Sequence, residues 1–267
     1  SGDFEQEYSY AATGYNGKFS INFATQYKDN LYLGINLNTH FIDYERSTYF
    51  YERNNNIGSL ITEVGFQNNL STIGTGFSFQ LGAITKLNEN FRIGLAYNSP
   101  TWYTLSEETT QNIATIRDAS IPININPQIV NIFPDYKLQT PSKITGSLAY
   151  IFGKHGLISF DYSKKDYDKI KFKPTSDTYF AEQNNIISNN LKSASTYRVG
   201  GELRKEQFSF RGGYRMEESP YKDDSTIGDL TGYSLGIGYS FGNTKLDLTF
   251  DKSERETNYQ LFDDGLT

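Results

Sequence analysis

The sequence contains no cysteine and only two histidines, and these absences remove several classes of chemistry. Without cysteine there is no disulfide framework, no thiol nucleophile and no zinc–thiolate site. His40 and Asp43 lie three positions apart, so a regular strand directs them to opposite faces, and His155 lies in a short turn. Asp223 and Asp224 could bind Ca²⁺, but a solvated acidic loop is the simpler interpretation. We therefore expect no catalytic activity, no metal site and no cofactor.

Long hydrophobic runs are also missing. No apolar run reaches the roughly 18 residues that indicate a transmembrane helix. The mean hydropathy of -0.57 and the formal net charge of -6 suit a soluble protein, but this indication is weak because a transmembrane barrel is polar at every other strand position. The mild acidity argues against a nucleic-acid groove. The polar start at Ser1 resembles no targeting signal, so we expect any such segment to have been removed or to lie outside this sequence.

Aromatic residues are plentiful, with 21 Tyr and 19 Phe beside a single Trp. Tyrosine suits the interface girdles of a membrane barrel, where one end of the ring is dry and the other is wet. The clearest pattern covers residues 74–103. There, Phe77, Phe79 and Leu81 alternate with small or polar residues, and a second alternating run follows the polar turn at 88–90. A period of two on both sides of a short turn predicts a β-hairpin.

The hairpin pattern recurs and predicts about ten strands, with short turns and long connections in strict alternation. We expect the strands at 17–28, 31–46, 75–87, 91–104, 140–152, 157–172, 193–204, 208–216, 230–241 and around Leu246–Phe250. We expect the long connections at 47–73, 105–138, 173–192 and 217–229, the first of them partly helical around 57–66. Strands of about 9–14 residues exceed the roughly 5–6 that are usual in soluble proteins.

These features predict an all-β protein, a transmembrane antiparallel β-barrel with short periplasmic turns and long extracellular loops. Its apolar face would meet lipid and its polar face would line a wet lumen, where arginines could pair with acidic residues. The alternative is a soluble β-sandwich, which would pack Leu95, Leu235 and Leu248 together in a dry interior.

Short motifs spread over residues 74–251 give a more specific signal. They are F-R-I-G-L-A-Y-N-S-P-T-W-Y at 91–103, L-Q-T-P-S-K at 138–143, G-S-L-A-Y-I-F-G-K-H-G at 146–156, Y-R-V-G-G-E at 197–202, R-G-G-Y-R at 211–215, E-S-P-Y at 218–221 and G-D-L-T-G-Y-S-L-G-I-G-Y at 228–239. Together they resemble the FadL-like outer-membrane transport family, in the form common among Bacteroidetes-type bacteria. The resemblance implies a barrel of about 14 strands in the outer membrane of a Gram-negative bacterium, closed in the lumen by an N-terminal hatch domain.

The hatch of that family, with its Asn-Pro-Ala segment, has no counterpart in this sequence. We therefore expect residues 1–267 to be a single β-barrel domain and a fragment, with the hatch and some strands outside this chain. An open sheet edge in lipid would leave backbone groups unpaired, so other residues of the full protein would close the barrel.

The resemblance also implies a function, the passive transport of hydrophobic molecules such as long-chain fatty acids or aromatic compounds. The ligand would bind among the extracellular loops, pass the hatch and exit laterally through the wall. The expected partners are outer-membrane lipid, lipopolysaccharide and the hydrophobic ligand, with no nucleic acid. The alternative is a structural or partner-binding barrel of a secretion or surface assembly, in which the connections at 105–138 and 173–192 would bind other outer-membrane subunits.

Pro100, Trp102 and Tyr103 are the first candidates for ligand binding. They would shape the extracellular mouth where a hydrophobic ligand enters. A membrane-interface anchor next to a strand-breaking proline is the alternative interpretation.

Arg198, Arg211 and Arg215 are the second group of candidates, on strands that we expect to be neighbours. Their guanidinium groups could bind a ligand carboxylate through paired hydrogen bonds. A structural ladder of salt bridges along the lumen is the alternative. Gly236 and Gly238 could leave room for a ligand or ease the curvature of the barrel, and their position inside a strand excludes a nucleotide-binding turn.

Overall fold

A computed structural model describes residues 2–117, 121–223 and 226–258. The strands are β1 (Phe4–Tyr27), β2 (Leu31–Asn54), β3 (Ile61–Lys86), β4 (Phe91–Asn98), β5 (Trp102–Arg117), β6 (Ile121–Ile125), β7 (Asn131–Ile132), β8 (Tyr136–Gln139), β9 (Lys143–Ile151), β10 (Gly156–Asp166), β11 (Lys171–Lys173), β12 (Ser193–Lys205), β13 (Phe208–Glu217), β14 (Ile227–Ser240) and β15 (Lys245–Thr257). A 3-10 helix (Tyr167–Lys169) and the α-helix α1 (Thr178–Asn190) lie between β10 and β12. Neither of these described helices has the length and apolar character to cross a membrane.

All ten predicted strands have a counterpart. The predicted strand at 91–104 is interrupted, because β4 ends at Asn98 and β5 begins at Trp102, and the predicted strand at 157–172 ends at Asp166.

The first three strands are much longer than the sequence pattern predicts. β1 and β2 have 24 residues each, and β3 has 26. The predicted connection at 47–73, with its helix around 57–66, is therefore wrong, because β2 continues to Asn54 and β3 begins at Ile61. Three consecutive aromatic residues at 49–51 point to both faces of β2 and so hide the period of two.

Two other predicted connections also contain regular structure. The segment 105–138 is largely strand, since β5 extends through it and pairs with β6 and β7. The segment 173–192 contains α1, which Asp177 caps. The Oδ1 atom of Asp177 accepts hydrogen bonds from the backbone N–H groups of Tyr179 at 2.9 Å and Phe180 at 3.2 Å. These bonds satisfy donors that the first turn of a helix leaves unpaired.

The described residues form two compact units. Unit 1 consists of Ser1–Phe19, Thr39–Phe77 and Tyr103–Leu138, and unit 2 consists of Ser20–Asn38, Ser78–Trp102 and Gln139–Thr267, each within the described ranges. In unit 1 the hydrogen-bonded order is β1–β2–β3–β5, with β6, β7 and β8 also paired to β5. In unit 2 the order is β1–β2–β3–β4–β9–β10–β12–β13–β14–β15. A single barrel domain over residues 1–267 stays a prediction.

Antiparallel pairing in unit 2 aligns apolar residues across successive strands. Phe160 of β10 stands opposite Leu148 of β9 on one side and Val199 of β12 on the other. Leu235 of β14 stands opposite Phe250 of β15. Since side chains alternate between the faces of a strand, this register collects the apolar residues on one face of the sheet.

The apolar face of unit 2 is exposed instead of packed into a core. Leu95, Leu235 and Leu248 keep 61%, 58% and 64% of their surface accessible. A soluble sandwich would bury these side chains, so the soluble alternative is wrong. Removing a leucine side chain from water is worth roughly 1.5–3 kcal/mol, and in a membrane barrel the lipid supplies that apolar environment.

Polar side chains bond to one another across the strands on the opposite face of unit 2. Asn38, which is only 1% exposed, accepts a hydrogen bond from Ser20 Oγ at 2.7 Å and donates one to Ser78 Oγ at 3.2 Å. Next to it, Asn36 Nδ2 donates to Gln80 Oε1 at 2.8 Å. Buried polar groups need such partners, and this face has the polar character expected of a lumen.

Unit 1 carries charged and hydroxyl side chains along its strands. Arg53 Nη1 lies 3.7 Å from Glu5 Oε2, and Arg53 Nη2 lies 3.3 Å from Glu63 Oε1. The hydroxyls of Tyr10 and Tyr44 are 2.9 Å apart. Exposed ion pairs of this kind are worth at most about 1 kcal/mol in water, and they would be out of place against acyl chains. These strands of unit 1 are therefore suited to an aqueous environment.

Candidate functional site

The strands of unit 2 are interrupted at two prolines. Pro100 lies between β4 and β5, and Pro141 lies between β8 and β9. Proline has no N–H to donate to a ladder, so within a sheet it marks an edge or a break. We call the two interrupted segments, Ser99–Thr101 and Thr140–Ser142, the wall break.

On one side of the wall break, a serine hydroxyl replaces a backbone carbonyl. The N–H of Ser99 donates to the carbonyl of Phe79 at 2.9 Å, as in a regular ladder. The N–H of Phe79, however, donates to Ser99 Oγ at 2.9 Å, and that hydroxyl donates onward to the carbonyl of Pro100 at 2.8 Å. Ser99 is 6% exposed, so water has little access to this bond.

The other side of the wall break has the same construction. The N–H of Thr140 donates to the carbonyl of Thr101 at 3.0 Å. The N–H of Thr101 donates to Thr140 Oγ1 at 2.8 Å. The segment Ser99–Thr101 is thus held on each side by one backbone bond and one hydroxyl bond. A regular antiparallel pair would use two backbone bonds.

Three aromatic rings cluster beside the wall break in unit 2. The centroid of Phe79 lies 6.1 Å from that of Tyr97 and 6.3 Å from that of Trp102. These separations lie within the range of aromatic pairs that attract one another. Trp102 remains 40% exposed. We call Phe79, Tyr97 and Trp102 the aromatic triad. Two of the predicted site residues, Pro100 and Trp102, therefore lie at the wall break.

Tyr103 lies in a different environment from Trp102. It belongs to unit 1 and is only 7% exposed. Its ring makes an edge-to-face contact with the ring of His40 at 5.7 Å. A buried ring in such a contact serves packing, so Tyr103 does not present a ligand-accessible surface as Trp102 does.

An apolar recess of about 590 Å³ lies on unit 2 and includes one member of the aromatic triad. Its lining includes Phe23, Leu33, Leu81, Leu95 and Tyr97. These side chains belong to the exposed apolar face. The recess is therefore an open groove on the face that we expect lipid to cover, and not an enclosed pocket.

Arg211 is held by acidic residues on both sides. Its Nε lies 2.6 Å from Glu202 Oε2, and its Nη1 lies 2.5 Å from Asp247 Oδ1. The second contact spans β14, where Gly236 stands opposite Arg211 and offers no side chain in the way. The predicted pairing of charges along this face is therefore present for Arg211.

Arg215 repeats this arrangement further along the sheet. Its Nη2 lies 3.4 Å from Asp251 Oδ1, and it crosses β14 beside Gly232, where an added Cβ would lie 3.1 Å from Arg215 Nε. We call this pair and the group of Arg211, Glu202 and Asp247 the charge ladder. Arg198 stands between Asp161 and Arg215 in the register, and it forms no ion pair within the described part of the chain.

The predicted site residues do not include five residues that build the wall break and the aromatic triad: Phe79, Tyr97, Ser99, Thr101 and Thr140. Two of them did have a sequence signal. Ser99 and Thr140 each directly precede a proline inside an otherwise alternating run, a combination that favours a turn or an interruption. The pairing of the two interruptions depends on strand order, which the dipeptides do not specify.

Metal binding receives no support from the described ranges. They contain no group of three or more His, Asp or Glu side chains that could hold a metal ion. Asp224 lies outside the described residues, so the expectation that Asp223 and Asp224 form a solvated loop without Ca²⁺ stays a prediction.

Comparison with known proteins identifies relatives of the whole strand array. The family described as outer membrane protein transport protein (OMPP1/FadL/TodX) matches residues 15–258. A FadL homologue from Pseudomonas aeruginosa is similar with a TM-score of 0.50 and 10% identity, over 89% of this chain and 70% of that chain. The toluene transporters TbuX from Ralstonia pickettii and TodX from Pseudomonas putida give TM-scores of 0.47 and 0.43 at 15% and 11% identity. They cover 94% and 93% of this chain and 74% and 83% of their own. No protein with a curated description matches.

Proposed function

The chain belongs to the outer membrane protein transport family (OMPP1/FadL/TodX) and is a transmembrane β-barrel protein of the bacterial outer membrane. From this premise we propose that it lets hydrophobic molecules cross that membrane passively and leave sideways through the wall break. Diffusion down a concentration gradient would drive the passage, so the proposal needs no nucleotide, redox cofactor or catalytic step.

The observation that carries this proposal is the coincidence of the wall break with the aromatic triad. Ser99 and Thr140 hold the interrupted segment through hydroxyl groups. Phe79, Tyr97 and Trp102 lie beside it. A gap at this position would therefore open beside aromatic side chains, which offer a hydrophobic ligand favourable contacts on its way into the lipid.

Lateral exit has an energetic advantage over release into water. Returning a ligand with roughly 200 Å² of apolar surface to water would cost about 5 kcal/mol at about 25 cal/mol per Å². An exit into the bilayer avoids this cost, because the ligand passes from apolar side chains to acyl chains. Outer-membrane lipid and lipopolysaccharide are the partners that we propose for the exposed apolar face.

The proposed ligands are aromatic compounds or long-chain fatty acids. The aromatic triad favours a flat or slender apolar molecule, because its rings offer apolar surface beside the break. Pro100 and Trp102 would contact it at the break. Tyr103, whose ring is buried in unit 1, stays a candidate from the sequence alone. For a fatty acid, we propose that Arg198 binds the carboxylate first.

Arg211 and Arg215 are weaker candidates for the carboxylate. Their guanidinium groups already face Asp247 and Asp251, and a ligand would have to displace these acidic partners. We therefore propose that both arginines act chiefly in the charge ladder.

A partner-binding role is the second candidate function. α1 exposes Tyr179 and Ile186 at 64% and 45% of their surface, and such residues could contact another outer-membrane subunit. Co-purification of the full-length protein with a partner in fixed proportion, lost in the variant Tyr179→Ala/Ile186→Ala, would favour this role.

A covalent lock tests the proposed exit. Thr101 and Thr140 are hydrogen-bonded across the break, and the chain has no native cysteine. In the full-length protein, Thr101→Cys/Thr140→Cys would be joined by oxidation or by a short bifunctional thiol reagent. We expect uptake of a hydrophobic probe to fall at least about tenfold when the pair is joined, and to recover on reduction of the disulfide.

The matched control is Thr145→Cys/Ser163→Cys, a directly opposed pair on β9 and β10. Joining this pair should leave uptake unchanged, since the ladder is regular there. Equal uptake by the joined and reduced forms of the Thr101/Thr140 variant would refute exit at the wall break.

A further inference from the structure

The wall break differs from an ordinary strand interruption because side-chain hydroxyls complete its ladder. Phe79 and Thr101 each direct their backbone N–H to a hydroxyl, at 2.9 Å and 2.8 Å. A carbonyl acceptor is fixed in the backbone of its strand. A hydroxyl acceptor sits on a side chain that can rotate between staggered positions. These two bonds can therefore break without displacement of the neighbouring strands.

The two hydroxyl bonds lie on opposite sides of the same short segment. Ser99 holds Ser99–Thr101 towards β3, and Thr140 holds it towards the segment that leads into β9. On each side one backbone bond remains, Ser99 N–H to Phe79 and Thr140 N–H to Thr101, at 2.9 Å and 3.0 Å. The segment thus keeps the two bonds per side of a regular antiparallel pair, but one bond on each side depends on a side chain that can rotate.

We propose that Ser99 and Thr140 are positioning residues that act as paired latches and set how often the wall break opens. This inference rests on the proposed function, since it concerns the opening through which the ligand would leave. Ser99 is 6% exposed, so water does not readily replace its bond and the closed state prevails at rest. Rotation of both hydroxyl side chains leaves Ser99–Thr101 held by a single backbone bond on each side. When these two bonds also break, the segment can move and a gap opens beside the aromatic triad.

Amide exchange in the full-length protein, embedded in lipid nanodiscs, tests the latches directly. Ser99→Ala should speed exchange of the Phe79 amide, and Thr140→Val should speed exchange of the Thr101 amide, each by up to about tenfold, as expected for one net hydrogen bond. Amides in the regular part of β4 should exchange as in the wild type. Thr140→Ser, which keeps a hydroxyl, should restore the slow exchange of Thr101.

Thr145→Val is the matched control. The Thr145 hydroxyl lies 2.9 Å from that of Ser163, and this side-chain pair sits next to a regular stretch of the β9–β10 ladder. Its loss should leave the Phe79 and Thr101 amides unchanged. If Ser99→Ala and Thr140→Val change these amides no more than the control does, the latch is refuted.

Transport separates the latch from the proposed function. We expect Ser99→Ala/Thr140→Val to take up a hydrophobic probe about two- to tenfold faster than wild type, with a slightly lower temperature of thermal unfolding because two hydrogen bonds are lost. Wild-type uptake by this variant, together with loss of uptake in the joined Thr101/Thr140 protein, would overturn the latch and leave the exit standing. Faster amide exchange without any effect of the covalent lock would overturn the exit, and with it the latch as a transport device.

Discussion

The wall break and the charge ladder are two regions of unit 2 that depart from a plain β-sheet in opposite ways. At the wall break the backbone pairing is incomplete and hydroxyl groups replace carbonyl acceptors. At the charge ladder the pairing is continuous, from Thr196 opposite Glu217 to Lys205 opposite Phe208, and ion pairs add further links across β13 and β15. We therefore expect the wall break to separate locally and the charge ladder to stay closed.

This difference predicts different free energies of local opening at the two regions of the sheet. Opening of the wall break needs rotation of two small side chains and the loss of a few hydrogen bonds. Opening between β12 and β13 would break an uninterrupted ladder and separate Glu202 from Arg211. Local opening free energies in proteins vary widely for this kind of reason, and the wall break is where we expect the lowest value in unit 2.

The largest effect on stability should come from adding a side chain at Gly232, where Arg215 of the charge ladder crosses β14. A Cβ at Gly232 would lie 2.9 Å from the carbonyl oxygen of Lys252, which is backbone, and 3.1 Å from Arg215 Nε. We expect Gly232→Ala to lower the free energy of unfolding by about 1–3 kcal/mol, because the backbone cannot yield cheaply. Gly146, where an added Cβ would meet nothing within 4 Å, provides the control variant Gly146→Ala.

Urea-induced unfolding in lipid vesicles would measure both glycine variants. Gly146→Ala should stay within about 0.5 kcal/mol of wild type. If both variants lose the same free energy of unfolding, Gly232 is not required for the space beside Arg215.

The next largest effect concerns the aromatic triad. Trp102→Leu removes the ring 6.3 Å from Phe79, and aromatic pairs contribute about 0.5–1.5 kcal/mol beyond burial. Uptake of an aromatic probe should therefore slow by about two- to tenfold, whereas uptake of an aliphatic probe of similar size should change less.

Tyr150→Leu is the control for the triad, since it disrupts another aromatic pair, with Phe152 at 4.9 Å. It should affect neither probe. Equal slowing of both probes by Trp102→Leu would mean that the ring serves folding instead of ligand contact.

A smaller effect is expected within the charge ladder itself. A double-mutant cycle with Arg211→Met and Glu202→Gln should give a coupling of about 1 kcal/mol for the 2.6 Å contact, because the pair is partly exposed. Uptake should remain near the wild-type rate in all three variants. A strong loss of fatty-acid uptake in Arg211→Met alone would instead assign Arg211 to the ligand.

The smallest effect on uptake should come from Pro100→Ala. The substitution supplies a backbone N–H that can join the ladder, so the interrupted segment should become slightly more regular. We expect uptake to slow by about two- to threefold with little change in stability. Faster uptake in this variant would argue that Pro100 stiffens the closed state instead of marking the exit.

Much of the fold could be predicted from alternation alone. Phe77, Phe79 and Leu81 show the period of two, and the exposed leucines confirm an outward apolar face. The extensions of β2 and β3 were missed because, in water, both faces of a strand can be polar or aromatic, and the period then disappears. The match of the transport family to residues 15–258 confirms the resemblance, while the Bacteroidetes-type form and the fragment character of the chain stay predictions.

The candidate site was only half predictable. Pro100 and Trp102 stand out as a proline and the single tryptophan, and both lie at the break. Ser99 and Thr140 could not be identified, because their role depends on a hydroxyl meeting the N–H of a neighbouring strand, and strand order fixes that contact. The burial of Tyr103 could not be predicted either, since the next residue along the chain, Trp102, is exposed while the Tyr103 ring is buried. Its role in ligand binding stays a prediction.

A structure of the full-length protein soaked with a brominated aromatic compound would test exit at the wall break most directly. The anomalous signal of bromine locates the ligand without assumptions about its pose. We expect bromine beside Phe79, Tyr97 and Trp102, next to the Ser99–Thr101 segment. Bromine found elsewhere in the protein, with the aromatic triad empty at saturating compound, would contradict exit at the wall break.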